Sequence, residues 1–404
     1  MPSCKNVSLI GLIANGGVMA NKPSTNNKGS TTSKVNVSKI GCADGSAIGV
    51  LELDNPAALN ALNYVMIEQL YNQLHEWQQD DSIVAVVLHA QGEKAFCAGG
   101  DIQAVYRVLE NKEQDFDSAF SAMETFFDLE YRCDHLIHTY PKPIIAWGHG
   151  YLMGGGVGVF MGASHRVVET TTRFAMPEIK IGLYPDVGAT YFLNQLPKHF
   201  ALFLGLTACQ VNATDMKALG LSQWIASAGS KEHFFAQLAS IDWNNETDID
   251  EKIATLLRSV EVKEPDEGLM LPHARLIEEL CCGDLSTIVE AIISADVSDK
   301  WFINAQKALS YGSPLSINIT YQQLTQYQGL SLDACFDMEF NLTLRCGLEG
   351  DFREGVRALL IDKTNQPNWI HNCVSDVKPE DLERFFFSDR FSGVPTDFTT
   401  VSFG

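Results

Sequence analysis

A glycine-rich stretch followed by two isolated carboxylates contains the residue types that acyl chemistry needs. Gly154, Gly155 and Gly156 lie between an apolar segment and a predicted helix, and Glu178 and Asp186 each follow a proline. A helix N-terminus presents N–H groups without partners inside the helix, and glycine lets a bound group come close to them. Because acyl transfer needs donors for a negatively charged oxygen and an acid or base, this stretch is a candidate active site.

A second glycine turn lies earlier in the chain. Gly99 and Gly100 follow the apolar run 83–88 and precede another predicted helix. Turns at the ends of two separate strands can each direct one N–H at a single carbonyl oxygen. Neither turn has the G-x-G-x-x-G spacing of a dinucleotide site, so that interpretation is not favoured.

The two carboxylates are expected to act as a pair. Gly182 and Pro185 lie between Glu178 and Asp186 and predict a turn that brings the two side chains face to face. Like charges at short distance repel, so the pKa of one carboxyl should rise and that group should hold a proton near neutral pH.

The arrangement of apolar segments predicts an α/β fold. The runs 47–53, 83–88 and 144–147 suit buried strands, and they alternate with helical patterns such as the one at 66–77. This alternation is typical of a mostly parallel sheet. From about residue 236 the pattern is helical. We therefore expect a disordered arm at 1–39, poor in apolar residues, a core at 40–235 and an all-α region at 236–404.

Composition excludes several classes of function. The formal net charge of −21 disfavours nucleic acid and anionic membrane as partners. No apolar run is long enough to cross a membrane, and the ten cysteines form no C-x-x-C pair, so no metal site is expected. A cytoplasmic location is favoured because no arginine precedes Arg107, whereas a mitochondrial presequence should contain several; an organellar matrix remains the alternative.

Several motifs together resemble the enoyl-CoA hydratase/isomerase (crotonase) superfamily. They are A-L-N-A-L at 58–62, K-A-F-C-A-G-G-D-I at 94–102, M-G-G-G-V-G at 153–158 and M-P-E at 176–178. The runs I-G-L-Y-P-D-V-G at 181–188 and D-F-R-E-G-V-R-A-L-L-I-D-K at 351–363 resemble the 3-hydroxyisobutyryl-CoA hydrolases within it. The resemblance implies a crotonase-like spiral of β-β-α repeats with an all-α C-terminal region, an acyl-CoA substrate, no separate cofactor and a possible homo-oligomer.

The resemblance also implies roles for individual residues. The two backbone donors of the oxyanion hole fall on Gly100 and Gly155, and Glu178 becomes the attacking or water-activating carboxylate with Asp186 as its partner. Residues expected to contact substrate are Asn60, Ala61, Leu62, Ala98, Gly99, Asp101, Ile102, Glu130 and Gly154. Without the match, Glu130 would be interpreted as a solvated helix residue.

One missing carboxylate favours hydrolysis over hydration. Hydratases of the superfamily carry a first glutamate where this chain has Gly158, so only Glu178 of the usual pair remains. Adding water across a double bond needs both a base and an acid, whereas thioester hydrolysis needs an oxyanion hole and one attacking group. We expect hydrolysis of 3-hydroxyisobutyryl-CoA or a related short 3-hydroxyacyl-CoA. An enoyl-CoA isomerase or hydratase and a non-catalytic coenzyme A-binding protein remain open alternatives.

Overall fold

The computed structural model describes residues 33–110 and 112–387, which fold around two β-sheets. The strands are β1 (Lys34–Gly41), β2 (Ala47–Asp54), β3 (Ile83–Ala90), β4 (Ala95–Cys97), β5 (Ile144–Gly148), β6 (Tyr151–Met153), β7 (His165–Glu169), β8 (Arg173–Ala175), β9 (Val211–Asn212) and β10 (Trp224–Ala226). The helices of the first half are α1 (Tyr64–Gln78), α2 (Ile102–Leu109), α3 (Phe116–His138), α4 (Gly155–Met161), α5 (Ala189–Leu193), α6 (Lys198–Thr207) and α7 (Ala213–Ala218).

The later part of the described chain is helical. Its helices are α8 (Lys231–Ala239), α9 (Ile249–Val260), α10 (Ala274–Leu280), α11 (Leu285–Ser294), α12 (Lys300–Tyr311), α13 (Pro314–Gln326), α14 (Leu332–Leu348), α15 (Phe352–Val356) and α16 (Pro379–Phe387). Every strand found in the described residues precedes position 227, which matches the all-α character predicted from residue 236 onward. No helix of the described residues is both long and apolar enough to cross a membrane.

The inner strands of the larger sheet are buried on both faces. Its strand order is β1-β2-β3-β5-β7-β10, and only the β1–β2 pair is antiparallel. Successive side chains of a strand point to opposite faces. Accordingly, Val86 of β3 joins the main core, whereas Ala85 and Val87 face a second core built from side chains of α8 and α9. Burial on both faces explains why the strands read as continuous apolar runs.

The smaller sheet brings the predicted site together. Its order is β4-β6-β8-β9, and β4, β6 and β8 are parallel. Each of these short strands follows a longer strand of the large sheet, as in a β-β-α repeat. Because parallel strands end at the same edge, the segments after β4, β6 and β8 converge there. Those segments carry Gly100, Gly155 and Glu178 respectively.

Two predicted boundaries differ from the structure. β1 begins at Lys34 and pairs along its whole length with β2, so ordered chain starts before the predicted boundary at 39/40; residues 1–32 of the predicted arm lie outside the described residues. The boundary at 235/236 falls inside α8. The C-terminal helices then pack into the main apolar core, which contains Val35 as well as Phe385.

Candidate active site

The two glycine turns meet as the sequence predicts. A Cβ placed on Gly155 would lie 3.2 Å from the backbone nitrogen of Gly100, and one on Gly99 would lie 3.9 Å from that of Gly155. Gly155 is the first residue of α4, so its N–H has no acceptor within the helix. The isolated bridge between Leu62 and Gly100 uses the carbonyl of Gly99 and the N–H of Asp101, which leaves the N–H of Gly100 outside that ladder. The backbone nitrogens of the two turns therefore lie close together, and their role as an oxyanion hole stays a prediction.

The segment around Asn60 supports the first turn. Asn60 is buried, and its amide donates to the carbonyls of Gln91 and Ala95 while its oxygen accepts from the N–H of Asn55. These contacts use its polar atoms within the protein, so Asn60 holds the loop in place. The backbone N–H of Ala98 donates to the carbonyl of Leu59, which attaches this loop to the glycine turn.

Other predicted substrate contacts lie along the same edge. Asp101 is the N-cap of α2, and its side chain accepts from the N–H of Ala104 at 3.3 Å. Leu62 is fully buried, whereas Ala61 and Ile102 are half-buried. Gly154 precedes α4 with a φ of 51°, a conformation that favours glycine. The substrate-binding roles of these residues stay predictions.

Glu130 is buried, contrary to what its position in a helix alone suggests. It lies in α3 with only 3 % of its surface exposed, and its Oε1 contacts the position that a Cβ on Gly155 would occupy. The same oxygen lies 3.4 Å from the position of a Cβ on Gly100. Burial, together with the negative charge of Asp186, raises the pKa of Glu130 to about 8. Glu130 thus places a protonatable group directly at the two predicted donors.

Glu178 and Asp186 form the buried pair that the turn between them predicts. Glu178 starts a short 3-10 helix (Glu178–Ile181), and its Oε1 lies 3.5 Å from the position of a Cβ on Gly154. Its Oε2 is buried without a hydrogen-bond partner among the described residues. Burial and the charge of Asp186 raise the pKa of Glu178 well above its usual range, and burial raises that of Asp186 to about 6. The pair therefore resists carrying two negative charges.

A chain of hydroxyl groups leads away from Asp186. The Tyr131 hydroxyl lies 2.6 Å from Oδ2 of Asp186 and 2.6 Å from Oγ1 of Thr343. Thr343 in turn lies 2.9 Å from the Tyr184 hydroxyl, which donates to the backbone carbonyl of Glu339 at 2.6 Å. All of these side chains are buried. Sequence reasoning missed this chain, because Tyr131 and Thr343 come from helices far apart in the sequence.

The carboxylate of Glu339 fixes the loop that carries Asp186. It accepts the backbone N–H of Gly188 at 2.7 Å and that of Thr190 at 2.8 Å. Glu339 is fully buried in α14, and burial raises its pKa to about 8 although both N–H donors oppose the rise. A helix of the C-terminal region thereby sets the position of the second predicted catalytic carboxylate.

The motif at 351–363 packs directly against the backbone of the segment that carries Glu178. A Cβ on Gly355 would lie 2.6 Å from the Cα of Ile181, and one on Gly182 would lie 2.7 Å from the backbone nitrogen of Phe352. Asp351 accepts from the Ser313 hydroxyl at 2.6 Å and from the N–H of Ile370 at 2.9 Å. The motif is therefore more than a helix with surface charge pairs, because its glycine lets two backbones touch next to Glu178.

We expect Gly355→Ala to lower the free energy of unfolding by about 1–3 kcal/mol, because the added methyl group overlaps the backbone of Ile181. Urea unfolding measures this change. Gly41→Ala is the matched control: a Cβ on Gly41 meets nothing within 4 Å, so its effect should stay within about 0.5 kcal/mol. Equal stability of the two variants would contradict the close contact between Gly355 and the backbone of Ile181.

Comparison with known proteins decides the family. The family model described as enoyl-CoA hydratase/isomerase matches residues 48–386. The chain belongs to this family. The mitochondrial 3-hydroxyisobutyryl-CoA hydrolase of Xenopus tropicalis is 34% identical over 355 residues, covering 87% of this chain and 88% of that protein. The human protein of the same name is 33% identical over 360 residues, covering 88% and 89%.

Solved structures of the enoyl-CoA hydratase/isomerase family confirm the predicted fold class. An enoyl-CoA hydratase from Rhodobacter sphaeroides has a TM-score of 0.76 at 30% identity, covering 87% of this chain and 97% of that one. A carnitinyl-CoA dehydratase from Mycobacterium thermoresistibile has a TM-score of 0.75 at 28% identity, covering 87% and 96%. The α/β prediction and the resemblance to the crotonase superfamily are therefore both confirmed.

The structure places a buried carboxyl group, that of Asp134, against Gly158, and the sequence did not reveal this contact. A Cβ on Gly158 would lie 2.6 Å from Cγ and 2.8 Å from Oδ1 of Asp134, a residue of α3. Asp134 is fully buried, and neither of its carboxyl oxygens has a hydrogen-bond partner among the described residues. Burial and the charge of Glu130 raise the pKa of Asp134 well above the usual range, which favours its protonated form. A carboxyl group from α3 thus fills the space next to α4 that a side chain at position 158 would need.

Proposed function

We propose that this protein hydrolyses the thioester of 3-hydroxyisobutyryl-CoA, or of a closely related short 3-hydroxyacyl-CoA, to the free acid and coenzyme A. The observation that carries the proposal is the buried Glu178 beside two glycine turns, with Gly158 where α4 would otherwise supply a second carboxylate. The names of the curated relatives, which cover most of this chain, support the substrate.

The reaction assigns one task to each part of the site. The N–H groups of Gly100 and Gly155 hold the carbonyl oxygen as it gains negative charge. Glu178 attacks the carbonyl carbon or takes a proton from the water that does so, and the C–S bond breaks with its electron pair going to sulfur. One water molecule is consumed in total: the released acid gains one oxygen, from water or from Glu178 that water then restores, and a proton ends on the thiol. Asp186 assists Glu178, and no cofactor is needed beyond the substrate's own coenzyme A.

Hydrolysis should dominate over hydration when both are measured in one assay. With 3-hydroxyisobutyryl-CoA and 3-hydroxypropionyl-CoA we expect free thiol to appear, and with crotonyl-CoA we expect little loss of enoyl absorbance, because α4 lacks a glutamate at Gly158. Parallel recording of thiol release and enoyl absorbance over this small panel measures both activities. Faster loss of enoyl absorbance than thiol release would contradict the proposal.

Hydration is the second candidate, and Asp134 is the observation that favours it. Its carboxyl group, whose pKa is raised by burial, lies against Gly158, close to the position of the missing glutamate. Dominant enoyl turnover in the assay above would assign that acid to hydration. If neither reaction occurs and acyl-CoA still binds, the remaining hypothesis is a non-catalytic coenzyme A-binding protein.

Location and assembly belong to the proposal as well. The related hydrolases of Xenopus tropicalis and human are mitochondrial proteins, which supports the organellar matrix for this chain over the cytoplasm that its arginine-poor start favours. The expected acyl-CoA partner agrees with the family, and homo-oligomer formation stays a prediction.

A further inference from the structure

The chain of hydroxyl groups that begins at Asp186 has more oxygen–oxygen contacts of hydrogen-bond length than it has hydroxyl protons to fill them. Four short oxygen–oxygen contacts connect Asp186, Tyr131, Thr343, Tyr184 and the carbonyl of Glu339 in sequence, at 2.6, 2.6, 2.9 and 2.6 Å. Each contact needs one proton between its two oxygens. The last carbonyl is only an acceptor, so the Tyr184 proton is used there.

The three hydroxyl groups supply only three protons for these four contacts. If Asp186 is ionised, Tyr131 donates to it and Tyr184 donates to the carbonyl. Thr343 then has one proton for its two phenolic neighbours, and one contact joins two oxygens without a proton. A fourth proton on Asp186 completes the chain. Asp186 then donates to Tyr131, Tyr131 to Thr343, Thr343 to Tyr184, and Tyr184 to the carbonyl of Glu339.

We infer that Asp186 enters the reaction as a neutral acid whose proton points to Tyr131, and that Tyr131, Thr343 and Tyr184 are positioning residues that hold it in this state. Burial raises the pKa of Asp186 to about 6 even where the Tyr131 hydroxyl donates to the carboxylate and opposes the rise. With Tyr131 accepting instead, that opposition is absent and the pKa lies higher.

The surroundings of Asp186 favour the same protonation state. The titratable groups that face it are all acidic in character, and they come from three parts of the fold. They are Glu130, Tyr131 and Asp134 on α3, Glu178 and Tyr184 on the preceding segment, and Glu339 and Cys346 on α14. Burial among these groups raises the pKa of Asp186, and an ionised Asp186 would in turn raise the pKa of each of them.

The protonation of Asp186 matters for the reaction proposed above, and this step rests on that proposal. The second largest cause that raises the pKa of Glu178 is the negative charge of Asp186. That cause is absent when Asp186 is neutral. Glu178, the group that acts on the thioester, then ionises without a negative charge beside it, although burial still raises its pKa.

Infrared difference spectroscopy of the full-length protein during a pH titration tests the inference without substrate. The carbonyl-stretch band of the protonated Asp186 carboxyl is assigned by its loss in Asp186→Asn. In the unsubstituted protein we expect its midpoint above pH 6. In Thr343→Val only the Tyr131–Asp186 and Tyr184–carbonyl contacts remain, and each tyrosine supplies the proton for one of them. Tyr131 can then donate to an ionised Asp186. The midpoint should therefore fall by at least one pH unit, although Thr343 does not contact Asp186.

Several controls separate this result from a structural disturbance. Tyr184→Phe removes two of the four contacts and one hydroxyl proton, so the two protons that are left serve the two remaining contacts. It should therefore lower the midpoint as well, and it replaces Thr343→Val as the test if that variant does not fold. Thr343→Ser keeps the hydroxyl and should keep the midpoint. Thr207→Val removes a buried hydroxyl that bonds to the carbonyl of Phe203 at 2.6 Å, outside the chain, and should also leave the midpoint unchanged.

An unchanged or raised midpoint in Thr343→Val or Tyr184→Phe would overturn the inference, because it would mean that Tyr131 donates to an ionised Asp186. Since the titration needs no turnover, a protein that shows the shift but hydrolyses no thioester would refute the proposed function alone. A hydrolase whose midpoint does not shift would refute the protonation of Asp186 alone.

Discussion

Glu178→Gln should lower the rate of thioester hydrolysis by about a thousandfold or more, with little change in acyl-CoA binding. Glutamine keeps the shape of the side chain but can neither attack as a carboxylate nor take a proton from water. Glu178 is 3 % exposed and lies beside the predicted oxyanion donors, so bulk water cannot easily replace it. The residual rate should come from the N–H groups of Gly100 and Gly155, which do not depend on Glu178.

Stopped-flow or steady-state thiol release measures kcat, and a non-hydrolysable acyl-CoA analogue measures binding. Glu169→Gln is the matched control: Glu169 is partly buried on β7 and accepts from the Trp147 indole at 2.9 Å, away from the glycine turns, so its activity should stay within a few-fold of the starting protein. Full hydrolysis by Glu178→Gln would remove Glu178 from the reaction.

A single turnover in heavy-oxygen water then separates the two possible roles of Glu178. Direct attack forms an anhydride, and water adding to the Glu178 carbon of that anhydride leaves the label in the enzyme carboxylate. Activation of water by Glu178, or water adding to the acyl carbon of the anhydride, places the label in the released acid, so a labelled Glu178 is the outcome that demonstrates direct attack. Peptide mass analysis of the segment that contains Glu178 distinguishes these outcomes.

The backbone part of the candidate site could be predicted because it depends on local patterns. Gly100, Gly155 and Glu178 each follow a short strand of one parallel sheet, and strand ends of such a sheet meet at one edge. Apolar runs and glycine turns mark these strand ends directly in the sequence. The pairing of Asp186 with Glu178 followed from the turn residues between them, because Gly182 adopts a positive φ of 73°.

The surrounding side chains could not be predicted, because they depend on how distant helices rotate and pack. Tyr131 is 55 positions from Asp186 and 212 from Thr343, and no local pattern fixes such contacts. The pattern of α3 suggests a solvated face for Glu130, but α14 and α4 cover the helix, so Glu130 and Asp134 are buried. Glu339 likewise reads as an ordinary charged helix residue. A charged residue inside a run of buried positions is visible only once the packing is known.

Substituting Gly158 by a residue with a side chain should destabilise this protein unless Asp134 is replaced by a smaller residue as well. The Cβ of Gly158→Ala would lie 2.6 Å from Cγ of Asp134, a carboxyl group that is fully buried in α3. Overpacking of this kind lowers the free energy of unfolding by about 1–3 kcal/mol. Gly158→Glu adds a longer, ionisable side chain at the same point, next to Asp134, and should prevent accumulation of folded protein.

A double-mutant cycle in urea unfolding measures the link between the two positions. Asp134→Ala removes the carboxyl that the new Cβ meets, so Gly158→Ala should destabilise the Asp134→Ala protein less than the original one, by at least about 1 kcal/mol. Gly41→Ala provides the comparison, since its effect should be the same with or without Asp134. Strictly additive effects of Gly158→Ala and Asp134→Ala would mean that the carboxyl does not occupy this space. If the coupling is found, the hydratase-type glutamate is absent here because α3 already places an acid there, and the combination Gly158→Glu with Asp134→Ala becomes the variant in which any gain of enoyl hydration should be sought.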